Sequence, residues 1–206
     1  MTPLRFPVRG LRFWPKFWIF AFGAVDVKLV KFAISIVLCN LYRLLRFIPN
    51  NDPVMGVMLP YSKQGKWWEA GLFAFLTMAS FDLITGKVGI WTLATSATYA
   101  ALGVGFFFAY RKMKIKKMSI WKYLASGVVG VLVFDFITGP IMSSWMFAMP
   151  FEAALLGQIP FTLLHLASVS VFVVVLTPLL DSHVISNGAL EDASIKRLFL
   201  AQAARH

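Results

Sequence analysis

A single cysteine, Cys39, stands in the 206-residue chain, so an internal disulfide and a cysteine-based metal cluster are both excluded. Histidine is scarce as well. His165, His183 and His206 fall at no metal-ligand spacing, and no metal site is expected. Charge is thin: 14% of residues are Asp, Glu, Lys or Arg, where a soluble domain carries about 25%. Acidic residues number 9 against 20 basic ones, for a formal net charge of +11. No aromatic-basic groove or base-reading motif accompanies that excess, so nucleic acid is not the expected partner. The Gly-x-x-x-x-Gly-Lys-[Ser/Thr] loop that cradles nucleotide phosphates is absent too. Neither a cofactor nor enzymatic chemistry is expected.

What the chain has in quantity is apolar sequence: 59% hydrophobic residues and a mean hydropathy of +0.73. The residues come in blocks, not in one-sided stripes. Segments of about 17 to 25 apolar residues can cross a bilayer as helices, and five fall at Phe32–Ile48, Trp67–Ile84, Val88–Tyr110, Ile120–Ile137 and Ala153–Leu180. A shorter apolar stretch, Asp52 to Tyr61, predicts a short helix or re-entrant segment shielded by its neighbours, since bare backbone is not tolerated against lipid. The predicted fold is all-α: a polytopic membrane helix bundle of about six transmembrane segments, the second one short. The basic residues flank the spans, where they meet anionic headgroups and set topology. With both termini cytoplasmic, only Arg43, Arg46 and Lys87 of the 20 fall outside. The lipid bilayer is therefore the partner for the charge. Residues 1–27 combine Arg5, Arg9, Arg12 and Lys16 with Trp14, Phe17, Trp18 and Phe20 and predict an interfacial segment kept in the mature protein. Residues 28–180 form the membrane domain, and 181–206 a polar cytoplasmic tail.

A hexapeptide occurs twice: Phe81-Asp-Leu-Ile-Thr-Gly86 and Phe134-Asp-Phe-Ile-Thr-Gly139. Both copies follow an apolar helix, and the topology puts both at the outer face as parallel repeats. Gly86, and Gly139 with Pro140, are expected to stop their helices. Thr85 and Thr138 are expected to bond back to the preceding turn. Asp82 and Asp135 oppose the helix dipole and are costly at membrane depth. They are expected either to pair with Lys87, Arg43 or Arg46, or to line a polar cavity open to the outside. Trp91 and Thr92 follow the first copy, with Thr95, Ser96, Thr98 and Tyr99 beyond them. Gln158 and His165, about two turns apart, share one face of the last span. The candidate solute-binding set is thus Asp82, Thr85, Trp91, Thr92, Asp135, Thr138, Gln158 and His165. Asn50-Asn51-Asp52-Pro53 reads as a turn or cap that can also cover the cavity.

The short segment Pro53-Val-Met-Gly-Val-Met-Leu-Pro60, the run Trp67-Trp-Glu-Ala-Gly-Leu-Phe-Ala-Phe75, Asp82, Gly89-Ile-Trp-Thr92 and Tyr99-Ala-Ala-Leu-Gly103-Val-Gly105 lie within 28–180. In this layout the chain resembles the substrate-binding membrane subunits (S components) of energy-coupling factor (ECF) vitamin transporters. The resemblance implies a six-helix subunit of a prokaryotic cell membrane that binds a vitamin or similar small molecule near the outer face. It also implies a transmembrane coupling subunit and ATPase subunits supplied by other chains. The family's first helix carries an Ala-x-x-x-Ala face for the coupling subunit. This chain has Ser35-x-x-x-Cys39 instead, a small-x-x-x-small pair that allows close helix approach. Two other readings compete. One is a structural or assembly membrane protein whose repeat only ends helices. The other is an intramembrane aspartyl protease, which needs two carboxylates sharing a proton but whose Gly-x-Gly-Asp signature is missing.

Overall fold

The computed structural model describes residues 27–45, 51–115 and 117–181. All but the last residue of the interfacial N-terminal segment, all but the first residue of the tail, and Arg46 and Asn50 lie outside the described residues. Two units divide the chain, Met1–Ile34 and Ser35–His206; of the first, only the opening of one helix is described. Among the described residues all regular structure is helical, in six helices. These are α1 (Val27–Leu45), α2 (Val54–Gln64), α3 (Glu69–Ile84), α4 (Ile90–Lys112), α5 (Ile120–Phe147) and α6 (Phe151–Leu180). The helices α4, α5 and α6 are long and apolar enough to cross a membrane. Leu132, Val133, Leu163, Val171 and Val175 on α5 and α6 are exposed, as lipid-facing side chains are. By these three helices the chain is a membrane protein.

The short helix is the hub. Its 11 residues rise only about 16 Å, about half the thickness of the hydrocarbon layer. Val54, Met55, Met58 and Leu59 are fully buried, because α3, α4, α5 and α6 all pack against α2. Pro60 lies inside this helix and has no N–H to give the carbonyl four residues earlier, that of Gly56. Thr177 on α6 supplies the missing donor, its Oγ1 3.2 Å from Gly56 O. Ser62 Oγ sits 3.1 Å from its own-helix Met58 carbonyl and 3.0 Å from the Gly103 carbonyl of α4. Thr177 thus answers the backbone acceptor that the proline leaves without a donor, as a buried membrane segment requires.

Small residues set how closely the next pair packs. A methyl group added to Gly103 would lie 2.8 Å from the Ala70 carbonyl carbon and 2.9 Å from Gly71 N. The α3 and α4 backbones therefore touch there, as small residues permit in membrane helices.

The two hexapeptides diverge. The first ends its helix as expected: Gly86 takes φ +67°, and Thr85 and Lys87 N–H bond back to the Phe81 and Asp82 carbonyls. The second does not, which overturns the expected stop at Gly139-Pro140 and extends the fifth span to Phe147. Residues Ile137–Ile141 form one π turn, and the helix runs on until Ala148, which adopts φ +50°. A π turn carries one extra residue and bonds five residues back, as Met142 N–H does to the Ile137 carbonyl. That wider turn accommodates a proline where an α-helical turn would clash.

Candidate functional site

The π turn moves Asp135 away from a helix end and into the bundle. With twelve residues of helix still to follow, its side chain is buried (4% exposed). Asp135 Oδ1 lies 2.8 Å from His165 Nδ1 on α6. The imidazole's other nitrogen, Nε2, faces the Tyr99 hydroxyl of α4 at 3.4 Å and Asp52 Oδ2 at 3.9 Å. Tyr99, with no exposed surface, donates its hydroxyl proton to Asp52 Oδ2 across 2.5 Å. Three side chains, from α4, α5 and one loop, thus converge on the single imidazole of α6. Phe134, first residue of the second hexapeptide, packs against both the Tyr99 ring (4.3 Å) and the imidazole (5.9 Å).

Asp52 is held from the loop side. Its Oδ1 accepts the Val54 N–H at 2.9 Å, the Asx turn that Asp-Pro favours. Its own N–H donates to Ser168 Oγ at 3.0 Å, and Ser168 donates to Asn51 Oδ1 at 2.9 Å. Asn51 Nδ2 in turn bonds the Tyr42 hydroxyl of α1. Asp52 thus makes the expected turn ahead of α2, whose N-cap is Pro53 with no side-chain cap bond, and the same aspartate also reaches the centre of the bundle.

The solute-binding candidates separate into two groups. Asp135, Thr138, Gln158 and His165 line the seam between α5 and α6. A methyl group on Gly139 would sit 2.5 Å from Gln158 Oε1, so Gln158 lies across the π turn and one face of α6 meets α5 at both positions. Thr138 Oγ1 donates to the Phe134 carbonyl at 2.8 Å; Thr85 does the same to Phe81 at 2.9 Å. Asp82 belongs to the other group. Its Oδ2 accepts from Thr92 Oγ1 at 2.6 Å, and Thr92 Oγ1 also receives the Gly89 N–H at 3.2 Å. Asp82 closes α3 at its unfavourable end but sits on the first turn of α4, where a carboxylate is welcome. Trp91, exposed, meets only Phe147 among ring contacts, at 6.4 Å. No hydrogen bond or ion pair among the described residues joins Asp82 to Asp135.

The expected pairing of Asp82 with Arg43 is also replaced. Arg43 lies over the Phe81 ring at 4.2 Å and points a guanidinium nitrogen at Met78 Sδ. On α1, Cys39 is buried (3% exposed) and Ser35 Oγ lies 3.3 Å from the Tyr61 hydroxyl. Of the pair expected to meet a coupling subunit, Cys39 is thus packed within the chain and Ser35 is half-buried. The described concavity of about 570 Å³ is apolar and shallow; Trp67, Trp68, Gly71, Ala100 and Val104 line it, apart from the candidate residues.

No family model, curated protein or solved structure matches this chain. The reading of the site therefore rests on its own chemistry. Asp52 and Tyr99 are the members that pattern alone undervalued. Tyr99 lies about two turns from Thr92 on one face of α4, a signal present in the sequence. The turn at Asp52 gave no sign of reaching the imidazole.

Proposed function

We propose that the chain is a membrane-embedded solute-binding protein of importer type, organised like an ECF S component, with its polar site on the α5–α6 seam. In this reading α1 to α6 all cross or enter the membrane of a prokaryotic cell, both termini are cytoplasmic, and the protein is not an enzyme. A coupling subunit and ATPases, on other chains, would energise release. The half-buried Ser35 and the buried Cys39 of α1 remain the pair proposed for that contact.

One observation carries the reading. Asp135 is a buried carboxylate with one oxygen on His165 and the other, Oδ2, without a hydrogen-bond partner among the described residues. Buried polar atoms are normally satisfied, and an ionisable group inside a membrane bundle marks a solute or ion path by default. The adjoining π turn, a feature frequent at functional sites, lies under the half-buried Gln158 amide. Together they suit a small solute that donates hydrogen bonds or carries positive charge.

The test is a thermal-shift screen of the purified protein in detergent against B vitamins, nucleobases and small amines. A binder is expected to raise the melting temperature in the wild type and to lose at least tenfold in affinity in Asp135→Asn. Absence of any shift across the panel, with the variant as stable as the wild type, would favour a purely structural role.

A further inference from the structure

The arrangement around His165 has a property that solute binding alone does not require. Asp52, Tyr99, His165 and Asp135 form one chain, carboxylate–phenol–imidazole–carboxylate, with every member at most 8% exposed. Two buried carboxylates without a counter-charge are prohibitively costly, so at least one proton resides on this chain. Two placements of that proton satisfy the same heavy-atom geometry.

In the first, His165 is an imidazolium. Its Nδ1–H donates to Asp135 Oδ1, its Nε2–H to the Tyr99 oxygen, and the Tyr99 O–H to Asp52 Oδ2. In the second, the Nε2–H bond has broken as a new Tyr99 O–H bond forms, and the original phenol proton has moved to Asp52 Oδ2. The imidazole and Asp52 are then neutral, and Tyr99 is again a phenol. The net charge is one negative in both; only its location changes. In the first state it is shared across the chain, and in the second it sits on Asp135, whose Oδ2 is unpartnered.

We propose that this chain is a proton relay, in which the Tyr99 hydroxyl passes a proton between His165 Nε2 and Asp52 Oδ2, and that positive charge arriving at Asp135 Oδ2 drives the proton toward Asp52. The relay stands on the geometry of the four side chains; its coupling to a cation rests on the proposed solute site. A cation beside Asp135 repels the imidazolium one hydrogen bond away, so the second placement becomes the stable one. The charged and titratable surroundings are few. From α1, Arg43 acts electrostatically on Tyr99 and Cys39, and Cys39 also feels Asp52. Asp52 approaches from the loop, Tyr99 from α4 and Asp135 from α5. On α2, Tyr61 meets Ser35 and Lys63 bonds the Ile115 carbonyl. Ser96 Oγ, on α4 between Thr92 and Tyr99, is buried and without a hydrogen-bond partner among the described residues. It continues the polar stripe that runs from the Asp82–Thr92 bond to the relay.

The experiment is ¹⁵N NMR of the full-length protein, labelled at histidine, in detergent micelles. His165 is assigned by its loss in His165→Gln, and its two ring nitrogens are followed between about pH 5 and pH 8, the range in which imidazoles titrate. The expected wild-type result is a signal averaged between imidazolium and neutral imidazole that moves with pH. Tyr99→Phe, which removes one oxygen, is expected to abolish the averaging between the two ring states. Asp52→Asn is expected to do the same and decides the matter if the phenylalanine variant does not fold. A wild-type His165 fixed in one protonation state throughout, or averaging unchanged in the variants, would overturn the relay. A thermal-shift panel without binders alongside a titrating His165 removes the solute reading and keeps the relay; a binder alongside a fixed His165 does the reverse.

Discussion

Gly103 and Gly105 sit two residues apart on α4, and the structure assigns opposite signs to their replacement by alanine. At Gly103 the added methyl meets backbone: 2.8 Å to the Ala70 carbonyl carbon, 2.9 Å to Gly71 N and 3.0 Å to Ala70 O. Carbon atoms settle at about 3.5–4.0 Å, so α3 and α4 must part by most of an ångström. Neither backbone has a rotamer to yield. Overpacking of this kind costs about 1–3 kcal/mol. Separation also stretches the Ser62–Gly103 carbonyl bond, worth about 0.5–1.5 kcal/mol. Gly103→Ala is therefore expected to lose about 2–4 kcal/mol. At Gly105 the same methyl meets nothing within 4 Å, and the gain in helix propensity is about 0.5–1 kcal/mol. Unfolding both variants and the wild type in mixed micelles of rising SDS fraction measures the difference. Equal midpoints for the two alanine variants would refute the close α3–α4 contact as the reason for the glycine.

Thr177→Val is expected to destabilise by about 1–3 kcal/mol, the cost of a buried acceptor without a donor; Pro60→Ala, which restores an N–H for the same Gly56 carbonyl, should recover most of it in the double variant. A double-mutant cycle in the same SDS titration reads that coupling, and additive effects would break the argument. Gly86→Ala should cost about 1–2 kcal/mol for forcing a side chain into the left-handed region, whereas Gly139→Ala should be much milder because only the flexible end of Gln158 opposes it. Asp82→Ala and Thr92→Val should each lose about 1–2 kcal/mol and show strong non-additivity, visible as nearly equal melting temperatures for the two single variants and the double one.

Hydropathy alone made the helices legible, because lipid-facing blocks need no partner to declare themselves. The ends were harder. The first hexapeptide was readable since a glycine at positive φ is a local device, complete within a few residues. The second carries the same Thr-Gly and adds Pro140, so local rules call it a firmer stop. Yet the helix continues, since a π turn fits the proline and the α5–α6 contact rewards continuation. That contact is tertiary, invisible in a window of six residues. For the same reason Asp135 looked like a helix-end aspartate and proved to be buried. Asp52 was misjudged in the other direction: its turn is local and was visible, while its bond to Tyr99 spans 47 residues and leaves no local trace.

The divergence of the two copies bears on what the duplication does. Both retain the threonine bond to the phenylalanine carbonyl, so the shared sequence encodes a shared local turn. Their aspartates then find different partners: Thr92 on the next helix for Asp82, His165 across the bundle for Asp135. Asp82 is half-exposed and tied to a helix start, where replacement by asparagine preserves an acceptor oxygen and removes only charge. Asp135 is buried with a spare oxygen, where the charge itself is what the imidazole answers. Comparing Asp82→Asn with Asp135→Asn therefore separates helix-end architecture from site chemistry. The ¹⁵N signals of the His165 ring are expected to be unchanged in the first and displaced in the second, where the partner of Nδ1 is altered. Equal displacement of the His165 ring signals in both variants would mean that the two aspartates act on one electrostatic site, and that the separation between them is wrong.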